Sequence, residues 1–152
     1  MKPLALTRAG ARQRGATIVE FGLIAAVFFT LLLGIAELSR VLFYWNTASE
    51  VTRMGARMAV VCDSGAAIIK TRMRGLLPVL KTSNISVAYA PSGCDSDPAT
   101  ARASCQSVTV SVANVSVKTV IPMVPLTISM PPFTTTMTRE SMQTSTSGTV
   151  CN

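Results

Sequence analysis

The chain has 152 residues and a mean hydropathy of +0.44, too apolar for an ordinary soluble domain of this length, so one segment must hold an excess of apolar residues. Its net charge is +7, but four of the fourteen basic residues fall within the first fifteen positions, which argues against a nucleic-acid-binding surface. There is no histidine, the commonest general base and transition-metal ligand, and the seven acidic residues are scattered, so we expect no enzyme active site, metal or cofactor.

The chain begins with a basic leader and an apolar segment. Residues 1–15 contain basic residues and no acid, and residues 16–36 contain a single charged residue, Glu20. As an α-helix, the 21 residues of the apolar segment would measure about 30 Å, which matches the hydrocarbon core of a bilayer. The position of the basic residues predicts a cytoplasmic N-terminus and an exported C-terminal part.

The helix is expected to continue past the apolar segment over residues 37–62, which contain no proline. Apolar and small side chains recur here at spacings of three and four, the pattern of an amphipathic helix. Glu37 with Arg40, and Glu50 with Arg53, are spaced to form ion pairs on its exposed face. We therefore predict one helix of roughly 45 residues, membrane-spanning in its first half.

Residues 63–152 are expected to form a small head. The segment Asp63–Gly65 should end the long helix and cap a shorter helix that covers roughly Ala66–Leu77. Pro78 limits this second helix, because proline is poorly tolerated inside a helix.

Strands are expected after the short helix. Apolar residues alternate at 85–89 and 108–117, with a change of parity that predicts a β-bulge near Ala113–Asn114. A further β-prone run covers residues 133–142, and the Ser/Thr-rich tail after it is expected to be loose. The predicted fold class is α+β: a long N-terminal helix packed on a head with a short helix and antiparallel strands.

The most specific motif is Gly15-Ala16-Thr17-Ile18-Val19-Glu20-Phe21, at the junction of the leader and the apolar segment. Burying a carboxylate such as that of Glu20 in lipid costs a few kcal/mol near the bilayer centre and less near its edge. Glu20 is therefore an acid tolerated near the membrane surface, a partner of Arg12 or Arg14, or a residue with a function inside the membrane.

These residues resemble the type IV pilin superfamily, and within it the TadE-like pilin-like proteins of tight-adherence pilus systems. The resemblance covers about a third of the chain. It is carried by RGATIVEFGL at 14–23, GIAELSR at 34–40 and RMGARMAV at 53–60.

The resemblance implies that a prepilin peptidase cuts after Gly15, which makes Ala16 the new N-terminus. It also implies that Glu20 and Phe21 act in assembly, with the Glu20 carboxylate pairing with the N-terminal amine of an adjacent subunit. Such a pair is physically reasonable, since an ammonium and a carboxylate brought together in lipid offset each other's desolvation.

The implied function is that of a minor pilin or pseudopilin that supports filament assembly, surface adhesion and biofilm formation, without enzymatic activity. The implied partners are membrane lipid, other pilin-type subunits, the prepilin peptidase and an inner-membrane assembly platform. The implied location is the bacterial inner membrane, single-pass with the head exported, or a surface pilus.

An alternative keeps export but changes the processing. Gly34-Ile35-Ala36 offers a small-x-small site for ordinary signal peptidase, which would leave a non-enzymatic binding module beginning at Glu37. Against it, Glu20 interrupts the apolar region that such a signal needs, and the cut would discard the pilin-like motif.

The four cysteines, Cys62, Cys94, Cys105 and Cys151, all lie on the predicted exported side, where disulfides form. There is no CxxC spacing, so a zinc or redox site is not expected. Three pairings are possible. A bridge between Cys94 and Cys105 would close a short loop and is favoured, which leaves Cys62 for Cys151.

Two other pairs of charged residues have spacings that occur in binding sites. Asp95 and Asp97 have a DxD spacing, but the DSDPAT segment lacks the remaining ligands of a calcium loop and is expected to be a solvated turn. Arg53 and Arg57 are expected to form the polar side of the helix and not an anion site.

Overall fold

The computed structural model describes residues 14–120, 125–145 and 148–151. Most of the predicted leader, including Arg12, therefore lies outside the described residues. The chain divides into two compact units, residues 1–36 and residues 37–152, called here the N-terminal and C-terminal units.

A single helix, α1, runs from Arg14 to Val61 over 48 residues, as the proline-free apolar and amphipathic patterns predict. Within the N-terminal unit its large apolar side chains are exposed along the whole segment. By length and composition this helix could span a membrane. Because helices owe most of their stability to packing of an apolar face, such a surface needs a cover of lipid or protein.

The C-terminal unit forms its core around the second part of α1. Small side chains, among them Ala48, Ala56 and Ala59, are fully buried there and let other elements approach closely. A second helix, α2, covers Ala67–Leu76 and contributes Ile69 and Met73 to this core.

The start of α2 differs from the sequence prediction. Its N-cap is Ala66, which makes no side-chain capping bond, so the prediction that Asp63–Gly65 caps this helix is wrong. The Asp63 carboxylate instead accepts from Arg102 at 3.0 Å. A capping side chain must directly precede the helix, and Asp63 lies too far from its first turn.

Two antiparallel sheets complete the unit. Strands β1 (Ile85–Ala90), β2 (Ser107–Val112) and β5 (Phe133–Thr138) form a three-stranded sheet with β2 in the centre. Strand β3 (Ser116–Lys118) pairs with β4 (Thr127–Ser129). Val108, Val110 and Val112 of β2 point into the core, as the alternation predicts. The other elements after α2 are a 3-10 turn at Thr82–Asn84, the short helix α3 at Pro98–Ser104 between β1 and β2, and a 3-10 turn at Gly148–Val150.

The expected β-bulge near Ala113–Asn114 is wrong. Asn114 has a φ of 56°, so β2 ends and the chain turns into the second sheet. The Asn84 side-chain amide donates to the carbonyls of Ala113 and Asn114 at 3.0 and 2.8 Å and holds this corner.

The chain from Glu140 to Gln143 is fixed to the end of α1, so the first residue of the tail that was predicted to be loose is held in place. The backbone N–H groups of Glu140 and Met142 donate to the carbonyl of Val60, and that of Gln143 donates to Val61. These contacts satisfy carbonyls that the end of a helix leaves unpaired. The Met142 side chain is fully buried.

Candidate assembly and anchoring site

The predicted processing and assembly residues all lie at the beginning of α1. Gly15 and Ala16 are exposed in its first turn, and Glu20 follows about one turn later. Val19 and Phe21, which flank Glu20, are 69% and 72% exposed. This end of the helix therefore presents one carboxylate on an apolar surface.

Glu20 has no ion-pair partner among the residues that the structure describes, where the three ion pairs all involve other acids. The side chain of Arg14 and all of Arg12 lie outside the described residues, and so does any ion pair that Glu20 makes with either of them. An unpaired carboxylate in a segment that needs an apolar cover is unfavourable unless a cation joins it. The arrangement thus suits a carboxylate that pairs with a cationic group, either of its own chain or of a neighbour.

Part of α1 matches a known protein family. Residues 15–57 match the family model of TadE-like protein. This finding confirms the resemblance drawn from the sequence, and we call residues 15–57 the TadE-like segment. No curated protein and no solved structure matches the chain.

The TadE-like segment begins at Gly15 and contains Glu20 and Phe21. It extends through the part of α1 that forms the core of the C-terminal unit, up to Arg57. It does not include α2, the sheets or the four cysteines.

A second cluster in the TadE-like segment was missed by sequence reasoning. The guanidinium of Arg40 donates to Glu37 at 2.5 Å and also to the carbonyl of Lys118, and the N–H of Val120 donates to the same Glu37 oxygen at 3.3 Å. The two side chains are only 29% and 13% exposed, so the prediction that this pair lies on an exposed face is wrong. The pair holds the β3–β4 hairpin against α1, and the matching GIAELSR residues were its only signal in the sequence.

The pair of Glu50 with Arg53, by contrast, is exposed as predicted, with a distance of 3.1 Å. Exposed pairs of this kind contribute little to stability. Arg57 is exposed as well.

The disulfides lie in the C-terminal unit. Cys62 is bonded to Cys151, with their Cα atoms 5.6 Å apart, and Cys94 is bonded to Cys105 across 5.1 Å. These are the two pairs favoured from the sequence. The first bond ties the tail to the residue that follows α1, and the second closes the segment that contains α3.

The DSDPAT segment is not a simple solvated turn, because Asp97 caps the short helix α3. Its carboxylate accepts from the N–H groups of Ala99 and Thr100, both at 2.9 Å, and from the Thr100 hydroxyl at 2.6 Å. Hydrogen bonds from Thr100 lower the pKa of Asp97 below its ordinary value. Among the residues described, no group of histidine, cysteine or acidic side chains could hold a metal ion.

One cleft of about 370 Å³ lies beside the start of α2 and is lined by Lys70, Tyr89 and Asp95, among others. Burial, with a smaller contribution from the charge of Asp95, raises the pKa of the Tyr89 hydroxyl. A phenol held neutral in this way is a poor general base at neutral pH.

Proposed function

We propose that this protein is a non-enzymatic, membrane-anchored pilin-like subunit of a tight-adherence pilus or a related secretion system. The observation that carries the proposal is Glu20 on the apolar surface of α1, with no ion-pair partner among the described residues, inside the segment that matches TadE-like protein. In this role the chain is a minor pilin or pseudopilin that supports filament assembly, surface adhesion and biofilm formation.

The proposed life cycle starts with insertion of α1 in the inner membrane, with its N-terminus in the cytoplasm and the C-terminal unit exported. A prepilin peptidase then cuts between Gly15 and Ala16 and frees an ammonium group at Ala16. This ammonium pairs with Glu20 of an adjacent pilin-type subunit, with Phe21 packed beside it, while an inner-membrane platform drives assembly.

A second candidate is the secreted or signal-anchored binding module produced by ordinary signal peptidase. One observation favours it: the boundary between the two compact units falls after Ala36, at the small-x-small site. However, a cut after Ala36, in the middle of α1, would remove Glu20 and the rest of the pilin-like motif from the product. The family match, which begins at Gly15, therefore supports the first candidate better.

The experiment that tests the assembly role is the substitution Glu20→Ala. The variant should insert and be processed as well as the wild type, because the apolar segment becomes more apolar. It should lose crosslinked complexes with other pilin-type subunits and surface filaments, because the neighbouring ammonium no longer has a partner in lipid.

The matched control is Glu50→Ala, which removes an exposed acid from the same helix. This variant should assemble like the wild type. Assembly of the Glu20→Ala protein at the wild-type level would mean that Glu20 is only a tolerated acid near the membrane surface.

A further inference from the structure

The hairpin formed by β3 and β4 carries exposed apolar side chains where its two strands approach the loop that joins them. Val120, after β3, is 69% exposed, and Leu126, before β4, is 57% exposed. The backbone of Thr119 donates to the Leu126 carbonyl at 2.9 Å, so these two positions lie together. Residues 121–124, which join the two strands, lie outside the described residues.

This end of the hairpin is fixed at a defined level along α1. The N–H of Val120 donates to Glu37, and Arg40 donates to the Lys118 carbonyl. Glu37 is the first charged residue after the sixteen uncharged residues 21–36. The exposed side chains of Val120 and Leu126 are therefore held at the first turn of α1 beyond the candidate membrane span.

The helix itself is apolar and exposed at the same level. Leu38 is 60% exposed and Leu42 is 44% exposed, one turn apart on one face. Single exposed apolar residues on a protein surface need no explanation. Four of them within about one turn of the level where an uncharged segment ends do need one, and lipid provides it.

We propose that Val120 and Leu126, with Leu38 and Leu42, form a surface that rests in the interface of the bilayer, so that the hairpin is a second membrane contact beside the span. Lys118 is exposed next to this surface and would face anionic headgroups. The Glu37–Arg40 pair positions the hairpin, and its low exposure fits a site at the edge of an apolar phase. This inference rests on the proposed membrane anchoring of α1.

The test uses the full chain in nanodiscs of phosphatidylcholine and phosphatidylglycerol, with a fluorescence quencher attached to the upper part of the lipid acyl chains. Trp45 is the only tryptophan in the chain, so a Trp45→Phe background leaves no other tryptophan signal. Val120→Trp in that background should lose most of its emission to the lipid quencher.

The matched control is Ala99→Trp, at an exposed position of α3. Arg102 of the same helix binds Asp63, just beyond the end of α1. The stretch of α1 between the hairpin contact at Glu37 and the end of the helix, residues 37–61, is about 37 Å long. The Ala99→Trp emission should therefore be unaffected by the quencher. Equal and weak quenching at both positions would overturn the proposal.

A third variant, Phe29→Trp, separates this inference from the proposed function. Quenching of Phe29→Trp without quenching of Val120→Trp would leave the anchor in place and reject the hairpin contact. No quenching of either would reject the anchor itself. Shielding of Val120→Trp that depends on protein density and not on the lipid quencher would show contact with a second copy and also reject the proposal. Intact mass checks that both disulfides have formed in each variant.

Discussion

At the residue scale, Gly55 explains why the RMGARMAV pattern combines a glycine with small residues. A Cβ atom at this position would lie 2.5 Å from the sulfur of Met73, a side chain of α2 that is fully buried. The absence of a side chain at Gly55 thus leaves room for the Met73 side chain between α1 and α2. The sequence predicted an amphipathic stripe through this position but not the residue that faces it, because that contact is made between two helices.

We predict that Gly55→Ala lowers the free energy of unfolding by about 1–2 kcal/mol. Overpacking in a core costs about 1–3 kcal/mol, and the better helix propensity of alanine offsets up to about 1 kcal/mol of it. Urea denaturation of the solubilised protein, followed by Trp45 fluorescence, would measure the change.

The control for this substitution is Gly75→Ala in α2, where a Cβ atom would meet nothing within 4 Å. This variant should be as stable as the wild type or slightly more stable, because only the helix propensity changes. Equal destabilisation by the two substitutions would show that the approach of Met73 to Gly55 is not the cause.

Asp97 gives a pH-dependent prediction. Its pKa in the folded protein lies below the ordinary value of 3.8, chiefly because Thr100 donates to its charged form. The stabilisation by this cap is therefore fully present above about pH 4 and is lost as the pH falls through the lower, folded pKa. Asp97→Ala should be less stable than the wild type at neutral pH, and the difference should narrow below pH 4 in urea denaturation curves.

Asp97→Asn is the companion variant, because an asparagine oxygen still caps a helix but does not titrate. It should retain much of the neutral-pH stability and lack the acid-dependent part. A wild-type-to-Ala difference that stays constant down to low pH would contradict the assigned role of the Asp97 carboxylate.

At the scale of elements, the sequence predicted those with a local pattern and missed those held by distant contacts. The proline-free run predicted α1, and strict alternation predicted β1 and β2. The segment after β5 has no periodic pattern. It is ordered by hydrogen bonds from backbone N–H groups between Glu140 and Gln143 to carbonyls at the end of α1. The short helix α3 was also missed, since seven residues are too few for a periodic signal.

The two disulfides should differ in their contribution to stability. Cys62–Cys151 joins residues 89 apart in sequence and Cys94–Cys105 joins residues 11 apart. In the chain-entropy model the longer loop stabilises by about 4–5 kcal/mol and the shorter by about 3 kcal/mol. Replacing Cys62 and Cys151 with serine should therefore lower the urea midpoint more than replacing Cys94 and Cys105.

These paired variants serve as controls for each other, since each removes one bond and leaves no free thiol. A larger loss on removal of Cys94–Cys105 would contradict the importance given to the tail in holding the end of α1. Non-reducing peptide mass spectrometry of the envelope-derived wild type should first recover both bonded pairs.

At the scale of the whole molecule, the two compact units divide the proposed tasks. The N-terminal unit offers an apolar helix with one carboxylate, and the C-terminal unit offers a disulfide-bonded α+β body built around the rest of that helix. The candidate processing and assembly residues could be named from the sequence because their motif is contiguous, and their roles stay predictions. It did not predict the role of Glu37 and Arg40, whose partners Lys118 and Val120 are some eighty positions away.

The proposed processing at Gly15 can be tested by substitution of that residue. Gly15→Leu should block removal of the leader, because a bulky side chain replaces the small residue that the peptidase is expected to recognise. Gly22→Leu is the matched control, at another glycine of α1 where a Cβ atom meets nothing within 4 Å. It should be processed normally, as judged by gel mobility and intact mass.

The most direct test of the central claim is N-terminal sequencing of the wild-type protein purified from the membrane of a host that contains a prepilin peptidase. A mature chain that begins at Ala16 is the predicted result. It would make Glu20 the fifth residue of the mature chain, as the proposed pilin-type assembly requires. A mature chain that begins at Glu37 would contradict the account in favour of ordinary signal peptidase, and an uncut chain would leave only a membrane anchor.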